Sequence, residues 1–325
     1  MTNKILLVDV DGKYPNIALM KLSNYFKNQG YVVDLKKLSY DFFNQRKKQK
    51  GVTVINCKKY EKCFISILFQ SNKYKVFTRN TLNCAVERGG TGTNDIAKKL
   101  PQEIDDCEED YSIYYDGRKI KGGEISYGFI TRGCIRNCAF CFVPKKEGMI
   151  HQYRTISQIV KHDKVRFYDN NILAFDGWKA IFQELIDKKI KCAFSQGLDF
   201  RILTEEQAIM LKQIKYISEI YFAFDDIRLL PLFEKKIWIL KKYFPKWACR
   251  FYVYVHPSMD IEKDVMVRIN FLRDNGCLAY LMRDIACITD INKDLYSKLA
   301  SWCHVPKIYC ACKFEDYEHK QYNKA

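Results

Sequence analysis

Three cysteines within eight residues, Cys134, Cys138 and Cys141, constrain this chain more than any other stretch. They lie in Thr131-Arg132-Gly133-Cys134-Ile135-Arg136-Asn137-Cys138-Ala139-Phe140-Cys141-Phe142-Val143-Pro144, spaced Cys-x3-Cys-x2-Cys among apolar, aromatic and basic neighbours. Thiolates this close can share one centre only if the backbone wraps around it as a loop. Soft sulfur ligands select zinc or an iron–sulfur cluster. A structural zinc site closes its tetrahedron with a second Cys or Cys/His pair, and no second pair lies nearby in the sequence. Three ligands without a local fourth leave one metal position open. Open iron can take a further ligand, whereas a closed site only carries electrons or holds structure.

The rest of the composition says what such a loop is set in. A chain of 325 residues suits two domains better than one, and 48% hydrophobic content supplies buried cores. No apolar run approaches the ~20 residues that span a bilayer, so no membrane partner is expected. Met1 to Asp9 holds only a short apolar run and reads as a first strand, not a signal peptide. With fourteen cysteines and no secretion signal, the thiols are expected to stay reduced in the cytoplasm. The formal charge of +16 suits a polyanionic partner such as tRNA, although lysine-rich composition alone produces the same excess.

Read along the chain, Lys4–Val10 is a buried-strand pattern ending in the turn Asp9-Val10-Asp11-Gly12. Ile17, Leu19, Met20, Leu22, Tyr25 and Phe26 then recur at helical spacing, and Tyr31–Leu35 is the next strand. A β-α-β start of this kind predicts a doubly wound, flavodoxin- or Rossmann-like domain over residues 1–110. Further strands are expected at Gly51–Asn56 and Cys63–Phe69. Gly89-Gly90-Thr91-Gly92 admits two readings, a loop approached by phosphate or ribose and a tightly packed turn. The acidic stretch Pro101–Tyr111 reads as a connector.

Downstream, strands are expected at Tyr127–Thr131, Val165–Asp169, Cys192–Gln196, Ile220–Phe224, Arg250–Val255 and Cys277–Met282. Helical patterns fall between them at Thr155–Lys161, Trp178–Lys188, Thr204–Gln213, Pro231–Tyr243 and Asp260–Asn275. Six strands alternating with helices predict a partial (β/α)6 barrel of the TIM type over residues 111–300, followed by a C-terminal extension, 301–325, frayed at its end. The cysteine loop follows the first strand, at the rim where such barrels keep their chemistry. Tyr252, Tyr254 and His256 alternate and so share a face. Facing inward they would form an aromatic, polar wall; facing outward they would pack against helices.

Cys134, Cys138, Phe140 and Cys141 resemble, position for position, the signature of the radical S-adenosylmethionine (radical SAM) superfamily. That resemblance implies that the three cysteines hold a [4Fe–4S] cluster whose fourth iron binds the amino and carboxylate groups of SAM. It also implies that one electron from a reducing donor cleaves SAM to a 5′-deoxyadenosyl radical for C–H activation. The backbone beside Phe140 would meet the adenine. Rim residues after the strands are candidate SAM contacts. Asp169 or Asn170 would accept from the ammonium, although the Gly-Gly-Glu-type segment of relatives is not spelled here. Arg201 would pair with the carboxylate, and Gln196 or Asp199 would bind ribose; Asp225 and Asp226 would orient ribose or pair with Arg201 or Arg228. Arg283 is a further candidate contact. No acid–base catalytic residue is singled out.

The opening domain resembles the cobalamin-binding-type domain of one superfamily branch. The Asp-x-His-x-x-Gly signature of histidine-ligated cobalamin is absent, and all five histidines (His151, His162, His256, His304, His319) lie downstream; cobalamin held without that histidine stays open. Cys57, Cys63 and Cys84 invite comparison with the second cluster of methylthiotransferases, but Asp9 and Asp11 occupy the place of its first ligand. Cys303, Cys310 and Cys312, with Cys287, could hold an auxiliary cluster or pack as small apolar residues. The expected activity is radical SAM modification of a nucleic acid such as tRNA. The alternatives are a peptide or small-metabolite substrate, or a zinc- or cluster-stabilised nucleic-acid-binding module.

Overall fold

A computed structural model describes residues 3–12, 14–38, 51–115 and 123–318 of the chain. Residues 319–325, with His319 and the expected frayed end, lie outside that set. The chain forms two compact units, one of Met1–Tyr127 with Arg136–Gly148 and one of Gly128–Ile135 with Met149–Ala325. No helix of the described residues is long and apolar enough to cross a membrane.

The first unit opens with β1 (Lys4–Asp9), α1 (Ile17–Asn28) and β2 (Val32–Lys37). Asn16 caps the helix by accepting from Leu19 N at 3.2 Å, and Gly30, at φ +83°, turns the chain after it. Next come β3 (Thr53–Asn56), β4 (Lys62–Ser66), β5 (Val76–Arg79), β6 (Ala85–Gly89) and the short α2 (Gln102–Asp105). Four of these strands make one parallel sheet in the order β2-β1-β4-β6, as the β-α-β start requires. Alternation along β1 serves two cores. Ile5 and Leu7 join Leu19, Leu22 and Phe26 of α1, while Leu6, Val8 and Val10 join Ile55 and Val76. The strand expected at 51–56 forms, but pairs with β5 in a separate two-stranded parallel ribbon. Cys57, Cys63 and Cys84 are buried in the core that this ribbon shares with the sheet. Burial pushes the Cys63 thiol well up and the Cys84 thiol to about 11, which suits neutral packing.

Of the two readings of Gly89-Gly90-Thr91-Gly92, packing is the one its surroundings support. Gly90 has φ +101°, and a Cβ there would stand 2.2 Å from Ile67 O; one on Gly92 would stand 2.6 Å from Phe69 C. Gly92 N donates to Ile67 O at 2.9 Å and Thr91 Oγ1 to Leu68 O at 2.7 Å. The close approach is therefore to the protein's own backbone. Gly90→Ala is expected to cost about 2 kcal/mol or more, since strain and overpacking add. Gly89→Ala, with nothing within 4 Å of the new methyl, should stay within about 0.5 kcal/mol. Paired urea unfolding curves check both, and equal midpoints for the two variants would refute the packing role.

The acidic stretch read as a connector packs along α1. Buried Lys21 pairs with Asp105 at 2.8 Å, and Asp110 takes Lys27 at 2.7 Å and Ser23 Oγ at 2.6 Å. The composition shift thus marks charge complementarity with a lysine-bearing helix face, which resembles a linker when only the sequence is read.

β7 (Ser126–Gly128) reaches the start of the second unit. It is followed by β8 (Thr131–Arg132), α3 (Val143–Glu147, within the first unit), β9 (His151–Gln152) and α4 (Ile156–Ile159). The alternation then runs β10 (Lys164–Phe167), α5 (Trp178–Asp187), β11 (Lys191–Phe194), α6 (Glu205–Gln213), the two-residue β12 (Lys215–Tyr216) and β13 (Ile220–Ala223). It continues with α7 (Leu230–Tyr243), β14 (Cys249–Val255), a π-helical turn (Ile261–Met266) running into α8 (Val267–Asp274), and β15 (Leu278–Arg283). α9 (Lys293–His304) and α10 (Pro306–Ala311) end the described chain.

Two rows of strands, β12-β11-β10-β7 and β13-β14-β15, are joined by a parallel bridge between Leu198 and Phe222. Tyr168 N donates to Gly128 O at 2.9 Å, completing the row at β7. The six expected strands thus form a partial (β/α)6 barrel. Phe167, Phe194, Phe222, Phe251, Val253 and Val255 share a core with Phe182, Leu185, Leu211, Phe233 and Ile237 of the helices. By alternation Arg250, Tyr252 and Tyr254 point the other way, into the barrel. Tyr252 stacks on Tyr221 with centroids 4.9 Å apart and meets Tyr280 edge-on at 5.7 Å. Trp302, Cys303 and Tyr309 of the tail are buried in the same core, as is Cys287.

Candidate functional site

The cysteine loop is the loop of a small hairpin. β8 and β9 pair antiparallel, Thr131 with Gln152 and Arg132 with His151. The base is closed again where Tyr153 N and Arg154 N both donate to Ile130 O, at 2.8 and 3.2 Å. Gly133, at φ +82°, lets the backbone turn directly before Cys134. Cys141 N donates to Cys138 O at 3.0 Å, and Gly148 ends α3 at φ +74°. The Arg132 guanidinium lies 4.0 Å from the centre of the Phe129 ring.

Asp169 fastens this base to β10. Its buried carboxylate accepts from Ile130 N at 3.2 Å, Thr131 N at 2.5 Å and Thr131 Oγ1 at 2.7 Å. Burial pushes its pKa up to about 6, and those three donors hold it from rising further. The residue expected at an ammonium is thus committed to the root of the cysteine loop.

Beside it, Asn171 turns inward. Its Nδ2 donates to Cys134 Sγ at 3.7 Å and to Asp199 Oδ2 at 3.3 Å. Asp199 is in turn gripped by Arg201, Nε at 2.5 Å and Nη2 at 3.0 Å, and Lys236 Nζ donates to Arg201 O at 2.8 Å. A continuous polar chain, Cys134–Asn171–Asp199–Arg201, thus crosses the ends of β10 and β11. Asp225, at the end of β13, accepts from Tyr254 N at 3.2 Å. Burial pushes its pKa up to about 6, against the pull of Arg268 and Arg201.

The structure therefore gathers Cys134, Asp199 and Arg201, with Asp225 in electrostatic reach of the last two. The other candidates are placed as follows. Gln196 is exposed, Asn170 half-buried, and Phe140 is 47% exposed in the loop. Arg283 donates to Ser297 Oγ at 3.2 Å, and Asp226 pairs with Arg228. Asn171 is not among the contacts that the sequence suggests. No local signal marked it, because its partner Cys134 lies 37 positions away in the chain. Buried Arg268, held between Asp264, Phe224 O and Tyr254 O, was passed over too, since nothing in a helical pattern marks one arginine as internal.

A pH test isolates Asp225. Its folded pKa lies above the unfolded value near 3.8, so between pH 3.8 and about 6 the folded state binds more protons and stability falls as pH rises. Asp225→Asn removes that decline. Relative to wild type, the variant should gain stability on going from pH 4 to 6.5, by roughly 1 kcal/mol or more. A pH-independent difference in urea unfolding would contradict the assignment.

Among the described residues no three His, Cys, Asp or Glu side chains stand together as a metal site. The donor set itself suits a cluster. The three loop thiols are partly exposed, while eight of the other cysteines are buried, and the Cys134 sulfur has an N–H donor in place. Three soft donors in one segment are the ligand type of an iron–sulfur centre.

No family model matches the sequence, and no curated protein matches it. A solved structure does: the radical S-adenosylmethionine methyltransferase TsrM from Kitasatospora setae, with tryptophan substrate and a SAM analogue (aza-SAM) bound. The two superpose with a TM-score of 0.57 at 12% identity, covering 86% of this chain and 72% of that one. The likeness establishes a shared fold.

Proposed function

We propose that this chain is a radical SAM enzyme in which Cys134, Cys138 and Cys141 hold a [4Fe–4S] cluster. The observation that carries the reading is the polar chain from Cys134 through Asn171 to Asp199 and Arg201, set at the rim of a barrel with this fold. When bound, the cluster and SAM supply one-electron cleavage to a 5′-deoxyadenosyl radical. The protein's own residues do the rest. Asp169 fixes the root of the loop, and Asp199 and Asp225 present acceptors for hydroxyl or ammonium groups. Arg201 balances their charge, and the loop backbone at Phe140 offers hydrogen bonds to a base edge. Tyr221, Tyr252 and Tyr280 line the barrel with aromatic faces suited to a planar substrate.

The formal charge of +16 favours tRNA or another nucleic acid as that substrate, modified in the cytoplasm with electrons from a low-potential reductant. A small aromatic metabolite is the second reading, favoured by the tryptophan in the TsrM structure. Cobalamin is not assigned. Anaerobically reconstituted protein with dithionite and SAM should release 5′-deoxyadenosine; tRNA should bind, and its affinity should fall steeply with salt. Absence of 5′-deoxyadenosine, with one zinc and no iron per chain, would leave a binding module instead.

A further inference from the structure

Asn171 is only 2% exposed, and its side-chain Nδ2 lies between two acceptors, Cys134 Sγ and Asp199 Oδ2. The amide orientation is fixed by chemistry, since the flipped group would set its oxygen against a sulfur and a carboxylate. Asp199 cannot turn away, because Arg201 holds it through two nitrogens. The carboxylate on one side and the sulfur on the other pin the same NH2 group. Asn171 Oδ1 is buried with no hydrogen-bond partner among the described residues, so packing and the two donor contacts alone hold the side chain. An asparagine kept at this cost is unusual unless its donor has a use.

We propose that Asn171 is a positioning residue for the cluster. Its N–H donates to the coordinating sulfur of Cys134, fixes that ligand's direction and raises the reduction potential of the bound cluster. This rests on the reading that Cys134 ligates iron. A hydrogen bond to a ligand sulfur withdraws electron density from it, which favours the more negative, reduced cluster. Reduction adds one electron, supplied in the test by dithionite. Arg201 and Asp199 belong to the same device: they keep the amide facing the sulfur before any metal arrives.

The test is a redox titration of anaerobically reconstituted full-length protein followed by EPR, comparing wild type with Asn171→Leu and Asn171→Ser. Leucine keeps the volume and removes the donor, whereas serine keeps a donor on a shorter arm. The leucine variant should titrate at a lower midpoint potential with altered g-values, and serine should fall between it and wild type. Chelators should strip iron from the leucine variant about tenfold faster. Unchanged potential and g-values in a leucine variant with full iron would overturn the proposal while leaving the cluster reading intact; a wild type without iron would sink that reading first. If neither variant retains iron, Asn137→Gln/Asn170→Gln protein, otherwise wild type and labelled with side-chain 15N-asparagine, decides. A 15N coupling in the pulsed-EPR spectrum of its reduced cluster supports the contact, and no coupling refutes it.

Discussion

Cys138→Ala, purified without oxygen, is expected to bind substoichiometric iron and to release 5′-deoxyadenosine more than about 100-fold more slowly than wild type. Loss of a mere outer-shell partner costs 10–100-fold in metal affinity or activity, and a direct ligand should cost more. The same holds for Cys134→Ala and Cys141→Ala, because a cube held by two thiolates has no fourth protein ligand in the loop to fall back on. Cys107→Ala is the control. Its thiol is partly exposed and donates to Glu103 O at 3.3 Å, outside the cysteine loop, so iron content and turnover should match wild type. Iron and sulfide assays beside chromatography of 5′-deoxyadenosine check both. Wild-type rates in any one of the three loop variants would contradict a three-cysteine cluster.

The second large effect is on stability. Arg268 is fully buried, with Nε on Asp264 at 2.6 Å and Nη1 on Phe224 O at 2.8 Å and Tyr254 O at 3.1 Å. It thereby ties the ends of β13 and β14 to α8. Arg268→Met leaves two strand-end carbonyls and a carboxylate without their donor. Breaking a buried pair from one side costs about 3–5 kcal/mol. The cost is uneven, because Asp264 keeps some solvent access and can rehydrate, while the carbonyls cannot. Activity should fall too, since Phe224 adjoins Asp225. Arg228→Ala is the contrast. That side chain is 86% exposed and its pair with Asp226 is worth little in water, so the change should stay within about 0.5 kcal/mol. Urea midpoints at constant slope measure both. A loss below 1 kcal/mol at Arg268 would show that the arginine is dispensable to the barrel.

The barrel was legible because its strands carry unbroken apolar runs and its helices repeat at 3.6. Cys192–Phe194, Phe222–Phe224 and Phe251–Val255 each announce a buried strand, and Trp178, Phe182 and Leu185 a packed helix face. β5 and β6 were not legible. Val76-Phe77 and Cys84-Ala85-Val86 are apolar runs of two and three residues flanked by polar chain, and only the neighbouring strands make them strands. The direction of Tyr252 and Tyr254 was undecidable locally, since a tyrosine suits a wet barrel interior and a helix interface alike. Phe251, Val253 and Val255 settle it by claiming the helical side. At the site, the cysteine loop was plain in sequence, but the partners of its side chains were not. Asp169 was recognised as a rim residue, yet a hydrogen bond to Thr131 joins positions 38 apart in the chain. Asn171 reaches Cys134 across 37. Spacing within one segment carries no information about such pairs.

The most direct measurement is EPR of the dithionite-reduced wild-type protein, recorded with and without SAM. The expected result is the spectrum of a reduced [4Fe–4S] cluster whose g-values shift when SAM is added, because the cofactor would take the iron that three cysteines leave open. A cluster signal indifferent to SAM, or no iron signal in anaerobically prepared protein, would contradict it.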